Sequence, residues 1–210
     1  MISIIFFTIT VINLAHIVDI DDSAGYPTLQ SALELDSPSK QIQLLLGDTE
    51  SKKHRVSYLK FREFLVRKLI PLGMEQIIQL PQYRGRIQEL FTRRSHADEL
   101  VHKNARLEGR VIVIDKSGEV SHASRWAPYQ VFPEAPYSVQ ILDRGGEYKI
   151  GIGSNKWSKE KSRINLGEVA RRYGGGGHKG ISALFVKNKE EADRIAQEII
   201  DFLNANHLIT

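Results

Sequence analysis

Apolar and polar residues follow two different rhythms along this chain. Through residue 108 the apolar positions recur at helical spacing, whereas beyond Gly109 they gather in short β-branched runs. The opening run, MISIIFFTITVI, is dense in Ile, Phe, Thr and Val and reads as a buried core segment. Residues 27–35 predict a short helix with Pro27 in its first turn, and Ser37-Pro38 starts another through Ile42, Leu44, Leu45 and Leu46 to Gly47. Residues 56–70 carry an imperfect helical stripe of Leu59, Phe61, Phe64, Leu65 and Leu69. Residues 73–80 form another apolar piece, ended by Pro81. Residues 82–108 predict a long charged helix with Ile87, Leu90, Phe91, Leu100 and Leu107 on a broken apolar face, closed by Gly109.

The second rhythm predicts a compact α/β domain. Residues 110–115, R-V-I-V-I-D, are a strand, followed by a turn at Lys116-Ser117-Gly118. Residues 119–126 fit a strand or a helix start, and Pro128, Pro133 and Pro136 break the next stretch. Residues 137–142 and 147–153 are strands joined by the hairpin turn Asp143-Arg144-Gly145-Gly146. A helix over 166–173, a strand over 181–186 and an amphipathic helix over 188–203 complete it. Ala192, Ile195, Ala196, Ile199, Ile200 and Leu203 form the inward face of that last helix. The expected organisation is a mostly helical segment at 1–81, a connecting helix at 82–108 and a mixed-sheet α/β domain at 109–210.

Composition narrows the chemistry. The chain has 210 residues and no cysteine, which removes disulfides, thiolate metal sites and cysteine nucleophiles. Net charge is +4, but residues 144–179 hold nine Lys or Arg against three Glu, so the positive charge concentrates in the second half. The apolar start is shorter than the roughly twenty residues that span a bilayer. It has no basic leader, so no membrane association is expected and a cytoplasmic location fits. The abrupt apolar start is what the C-terminal portion of a longer protein would show.

Most of the candidate chemistry lies around Gly174-Gly175-Gly176-Gly177-His178-Lys179-Gly180. Four consecutive glycines between a helix and a strand predict unusual dihedrals or a close backbone approach. Their N–H groups can face an anion; a flexible surface turn is the alternative, but such a turn needs one or two glycines, not four. His178 can hydrogen-bond a phosphate or move a proton near neutral pH, and Lys179 and Arg171 or Arg172 can add charge. Arg172 fits pure solvation equally well. Asn155 and Lys156 follow a strand end, a usual place for ligand contacts. Trp157 can stack on a base or pack under the glycines, and Arg125-Trp126 poses the same choice. Near the start, Asp19, Asp21 and Asp22 fit a divalent metal site or a helix cap equally. His96 and His102 are six apart and do not form a metal pair.

The segment Arg171-Arg172-Tyr173-Gly174-Gly175-Gly176-Gly177-His178-Lys179-Gly180 resembles the GGGH signature of the DHHA1 domain, the C-terminal half of the DHH phosphoesterase superfamily. Within it, the chain is similar to exopolyphosphatase-related and oligoribonuclease-like members. Val18-Asp19-Ile20-Asp21-Asp22-Ser23-Ala24 is similar to the family segment that completes a metal site, with Asp21 replacing an apolar residue. The resemblance implies that Asp19, or alternatively Asp22, ligates Mn2+ or Mg2+. It implies two-metal hydrolysis of a phosphodiester or phosphoanhydride. It also implies phosphate binding by Gly174, Gly175, Gly176, Gly177, His178, Lys179, Asn155, Lys156 and Arg125. The Asp-His-His triplet of the family does not occur in this sequence. The helical first part is then the remnant of a DHH domain and 109–210 a full DHHA1 domain.

Three functional readings are open at this point. The first is a phosphoesterase relative that is inactive until its missing catalytic half is supplied. The second is a binder of nucleotides or short single-stranded nucleic acid without catalysis. The third is an assembly role, as a homo-oligomer or through the apolar N-terminus.

Overall fold

The computed structural model describes residues 19–20, 23–49, 55–116, 122–160 and 162–206. The expected core segment at 1–12 lies outside them. The chain divides into two compact units, Met1–Arg93 and Arg94–Thr210.

The first unit is helical. Helix α1 (Leu29–Leu33) begins after Thr28, whose Oγ1 accepts the Ser31 N–H while the Ser31 hydroxyl accepts the Thr28 N–H. This reciprocal cap leaves Pro27 before the helix rather than in its first turn. Helix α2 spans Pro38–Thr49 and α3 spans Arg55–Gln79. The pieces expected at 56–70 and 73–80 are two limbs of α3. Pro71 lacks an N–H and Gly73 turns to φ 76°, so the ladder breaks there. Helix α4 (Pro81–Asn104) starts on proline, as first helical positions favour. Ile42, Leu45, Phe61, Met74, Ile77, Ile78, Ile87 and Leu90 form the core. Phe61 and Phe64 meet Tyr83 edge-on at 5.0 and 5.5 Å. Arg86 clamps α4 to α2 through two bonds to Asp48, of 2.8 and 2.6 Å.

The second unit is a mixed α/β domain. Its elements are β1 (Arg106–Glu108), β2 (Val111–Asp115), α5 (Pro128–Val131), β3 (Tyr137–Asp143), β4 (Tyr148–Ser154), α6 (Leu166–Arg171), β5 (Gly176–His178), β6 (Ile181–Val186) and α7 (Lys189–Ala205). The six-stranded sheet runs in the order β1-β2-β3-β4-β6-β5, with only the β2–β3 pair parallel. Val113, Val139, Ile150, Ile152 and Leu184 line one face. Against it lie Leu166 and Val169 of α6 and Ile195, Ile199 and Leu203 of α7, the stripe that the sequence periodicity marks. Asn188 caps α7 by accepting the Glu191 N–H at 2.8 Å.

Two sequence expectations change. The long helix ends at Asn104, not 108, because residues 106–108 pair with β2 as a strand, and Gly109 (φ 61°) turns the corner. Pro128 opens the short α5 instead of merely breaking the chain.

Candidate functional site

The glycine run is mostly explained by its own neighbours. Gly174 (φ 76°) ends α6: the Gly175 N–H donates to Ala170 O at 3.0 Å and the Gly174 N–H to Arg171 O at 3.2 Å. These two bonds form a Schellman closure, so the N–H groups of Gly174 and Gly175 are taken up by the helix end. The chain then becomes β5, with Gly176 opposite Ala183, Gly177 opposite Ser182 and His178 opposite Ile181. A Cβ on Gly175 would lie 2.4 Å from Ala183 O, and one on Gly177 (φ 148°) would lie 2.4 Å from Ile181 O. The run expected as an open anion loop is therefore half helix terminus and half edge strand. Its glycines permit close approach to β6. Gly176 has nothing within 4 Å of an added Cβ, and the backbone from Gly176 to Gly180 is exposed.

Where the run turns into β6 it meets the end of β4. Ser154 donates from its N–H at 2.9 Å and from its hydroxyl at 3.1 Å to Gly180 O, and the Leu166 N–H donates to Lys179 O at 3.1 Å. Three bonds thus fix the turn bearing His178 and Lys179 beside the strand end bearing Lys156. His178, Lys179 and Lys156 are all exposed. Register also sets the face. His178 pairs Ile181, Ile181 pairs Gly153 and Gly153 pairs Ser138, so these side chains share the face opposite the helix-packed core. Tyr129 hydrogen-bonds Ser138 there at 2.9 Å, and a Cβ on Gly153 would come within 3.1 Å of both hydroxyl groups.

Asn155 has a different task from the one expected. It is 2 % exposed and its amide donates to Pro133 O at 2.8 Å and Ala135 O at 3.1 Å, while its carbonyl accepts the Trp157 N–H at 3.1 Å. Both amide hydrogens are engaged, so the side chain braces the loop rather than facing a ligand. Ser158 adds a 2.8 Å bond to Glu134 O.

The two tryptophans meet edge-to-face at 5.1 Å, and each carries a cation. Arg125 lies 4.4 Å over Trp126 and Lys156 lies 5.3 Å over Trp157. Partial burial lowers the Lys156 pKa below the ordinary lysine value. Lys149, on the same sheet, is lowered by burial and by the nearby Arg144. Arg172 stacks on Phe202 at 4.4 Å, away from the turn. Behind the sheet end, Lys116 is buried and donates to Ala123 O at 3.0 Å. Desolvation, reinforced by Arg94 and opposed by Asp98, lowers its pKa to about 8.

The expected metal donors do not assemble among the described residues. Asp19 is exposed, and its backbone carbonyl accepts the Ser23 N–H and hydroxyl. Asp21 and Asp22 lie outside the described residues. No group of three His, Cys, Asp or Glu fit to hold a cation occurs among the described residues. One carboxylate does not fit a two-metal centre. Elsewhere in the first unit, a pocket of about 230 Å³ holds Lys40, which donates to Ser31 O and lies 4.5 Å over the Tyr26 ring. Glu34 and Asp36 also line this pocket, so it does not select an anion. No helix among the described residues is long and apolar enough to cross a membrane.

The bonds from Ser154 and Leu166 hold the His178–Lys179 turn beside the strand end that carries Lys156, whereas the brace of Asn155 and the contact between Trp126 and Trp157 were not expected from the sequence. The repeated cation–Trp dipeptides, Arg125-Trp126 and Lys156-Trp157, were the signal for the latter.

Comparison with known proteins supports this fold. Residues 139–205 match the DHHA1 domain family, beginning inside β3. No curated protein matches the sequence. Among solved structures, a pGpG-specific phosphodiesterase, PggH from Vibrio cholerae, is similar at TM-score 0.65 and 21% identity, over 91% of this chain and 67% of that one. An exopolyphosphatase-related protein from Bacteroides fragilis matches at TM-score 0.43 and 15% identity, over 55% of this chain and 36% of that one. The C-Ala domain of alanyl-tRNA synthetase from Aquifex aeolicus matches at TM-score 0.36 and 15% identity, over 48% of this chain and 98% of that one. The fold is thus a helical N-terminal region followed by a mixed α/β unit, residues 139–205 of which match the DHHA1 domain.

Proposed function

We propose that this chain is a phosphoesterase relative whose second unit grips the phosphate of a nucleotide or short single-stranded nucleic acid. His178 and Lys179 are the primary side-chain contacts, with exposed backbone at Gly176 and Gly177, and Lys156 and Arg125 add positive charge beside them. The reading rests on the double bond set from Ser154 to Gly180 O, which ties the His178–Lys179 turn to the strand end that carries Lys156. An exposed imidazole and two exposed ammonium groups on one fixed corner suit an anionic ligand. The resemblance to a phosphodiesterase fold makes phosphate the natural anion. Hydrolysis of a phosphodiester or phosphoanhydride by a two-metal route belongs to a form in which further donors complete a Mn2+ or Mg2+ set with Asp19. The described residues do not complete it, and no catalytic step is assigned to them.

A labelled single-stranded RNA of about six nucleotides, titrated in EDTA by anisotropy, tests the site. His178→Ala should weaken binding about tenfold or more, as loss of a hydrogen bond to a charged group does. Wild-type affinity in that variant, at matched salt, rejects the assignment. A purely binding role is the second reading, favoured by the tryptophan pair beside the cations. It requires salt-sensitive binding with no manganese-dependent cleavage of bis(p-nitrophenyl) phosphate.

A further inference from the structure

Two short segments of the second unit share one local construction. Ser124-Arg125-Trp126 and Asn155-Lys156-Trp157 each place a buried polar residue first, an exposed cation second and a tryptophan third. In each, the side chain of the first residue accepts the backbone N–H of the tryptophan, Ser124 Oγ from Trp126 and Asn155 Oδ1 from Trp157, both at 3.1 Å. In each, the cation lies over the ring of the tryptophan that follows it. The two rings then meet at 5.1 Å, which joins the halves into one bracket with a cation on each. The footing is rigid: Ser124 is 3 %, Ala127 0 %, Tyr129 1 % and Ser158 1 % exposed. Asp98 holds the Ser124 N–H at 2.6 Å.

We infer that Trp126 and Trp157 are positioning residues that hold Arg125 and Lys156 as a second phosphate clamp, so that the site takes a ligand with two or more successive phosphates. This rests on the phosphate-binding reading above. A long exposed cation ordinarily samples many rotamers, and capturing an anion costs it that freedom. A cation already laid on an aromatic face has lost part of it beforehand. The clamp stands beside the first anchor, because Lys156 is two residues beyond Ser154, whose bonds to Gly180 O hold the His178–Lys179 turn. A single phosphate fills one anchor; a chain of phosphates fills both. The shared chemistry is successive phosphates, carried by an oligonucleotide or by inorganic polyphosphate.

Both tryptophans of the chain lie in the bracket, so intrinsic fluorescence reads it directly. Wild-type protein is titrated with inorganic phosphate, tripolyphosphate and a 5′-phosphorylated dinucleotide over a range of salt. Tripolyphosphate or the dinucleotide should bind with a log-affinity against log-salt slope steeper than that of inorganic phosphate by about 0.7 or more. Which of the two binds identifies the source of the phosphates. Trp157→Phe should keep affinity within about threefold. Trp157→Leu, melting as wild type, should lose about three- to tenfold together with part of the slope. If Trp157→Leu does not fold, Lys156→Gln and Arg125→Gln, which keep both rings, carry the test: each should flatten the slope. Equal slopes for inorganic phosphate and tripolyphosphate overturn the clamp. So does a wild-type slope in both glutamine variants, or in a folded leucine variant. If His178→Ala binds tripolyphosphate and the dinucleotide as well as wild type does, the phosphate-binding reading itself fails, an outcome distinct from these.

Discussion

In the first unit a methyl group added to Gly47 or Gly85 meets nothing within 4 Å, whereas in the second one added to Gly175 or Gly177 lands 2.4 Å from a carbonyl oxygen of β6. At these positions the same residue type is a weak spot in one region and a requirement in the other, although Gly73 in the first unit also needs glycine for its φ of 76°. The first unit is built from helices whose ladders are local, and it leaves Leu59, Val66 and Ile70 exposed on α3. The second is built from strand pairs that are distant in sequence, where one backbone must pass against another. Its glycines and buried polar residues therefore serve the path of the chain, and the candidate site inherits its geometry from that path.

Substitutions can break the contrast. The largest effect is expected for Gly177→Ala, which meets both a φ of 148° and the Ile181 carbonyl. A loss of about 3 kcal/mol or more is expected, read as early melting of the second unit by circular dichroism. Asn155→Ala comes next, at about 2–3 kcal/mol, because it strands the Pro133 and Ala135 carbonyls. The buried lysine gives a pH test. The Lys116 pKa is lowered to about 8 from 10.5, so the folded state releases this proton before the unfolded state does. Its burial cost is complete below pH 8 and is relieved as pH rises toward the unfolded value. Stability should increase by about 1 kcal/mol between pH 7 and 9. Lys116→Met should flatten that rise in denaturant titrations, leaving the share of Lys149 and Lys156. The smallest effect has the opposite sign. Gly47→Ala and Gly85→Ala should each stabilise by about 0.5–1 kcal/mol in thermal melts. A destabilised Gly85→Ala would mean that the first unit also depends on close backbone contacts.

The same contrast explains what could be read from the sequence. The run R-V-I-V-I-D, the D-R-G-G hairpin and the stripe from Ala192 to Leu203 express local periodicity, and β2, the β3–β4 turn and α7 obey it. Gly176–His178 has no strand propensity, and only its pairing with residues 181–183 makes it a strand. Asn155 looked like a ligand contact because it lies just past a strand end, but its partners are carbonyls about twenty residues earlier in the chain. His178 stands out in the sequence as candidate chemistry because an imidazole beside glycines is unusual. That it shares a sheet face with Gly153 and Ser138 required the register.

Asn204 near the end of α7 donates to Glu108 O at 3.1 Å and accepts the Arg110 N–H at 2.8 Å, across 96 and 94 residues of sequence. The tight turn at Gly109 fits against this amide, since a Cβ there would be 2.5 Å from Asn204 Oδ1. On a ribosome adding about 5–20 residues per second, the β1–β2 hairpin would therefore wait about 5–20 s for its latch. Until then the apolar faces of β2 and β3 lack the helix that covers them. Nascent chains stalled before Asn204 clears the exit tunnel should be open to protease in the second unit, and those stalled after it should be closed.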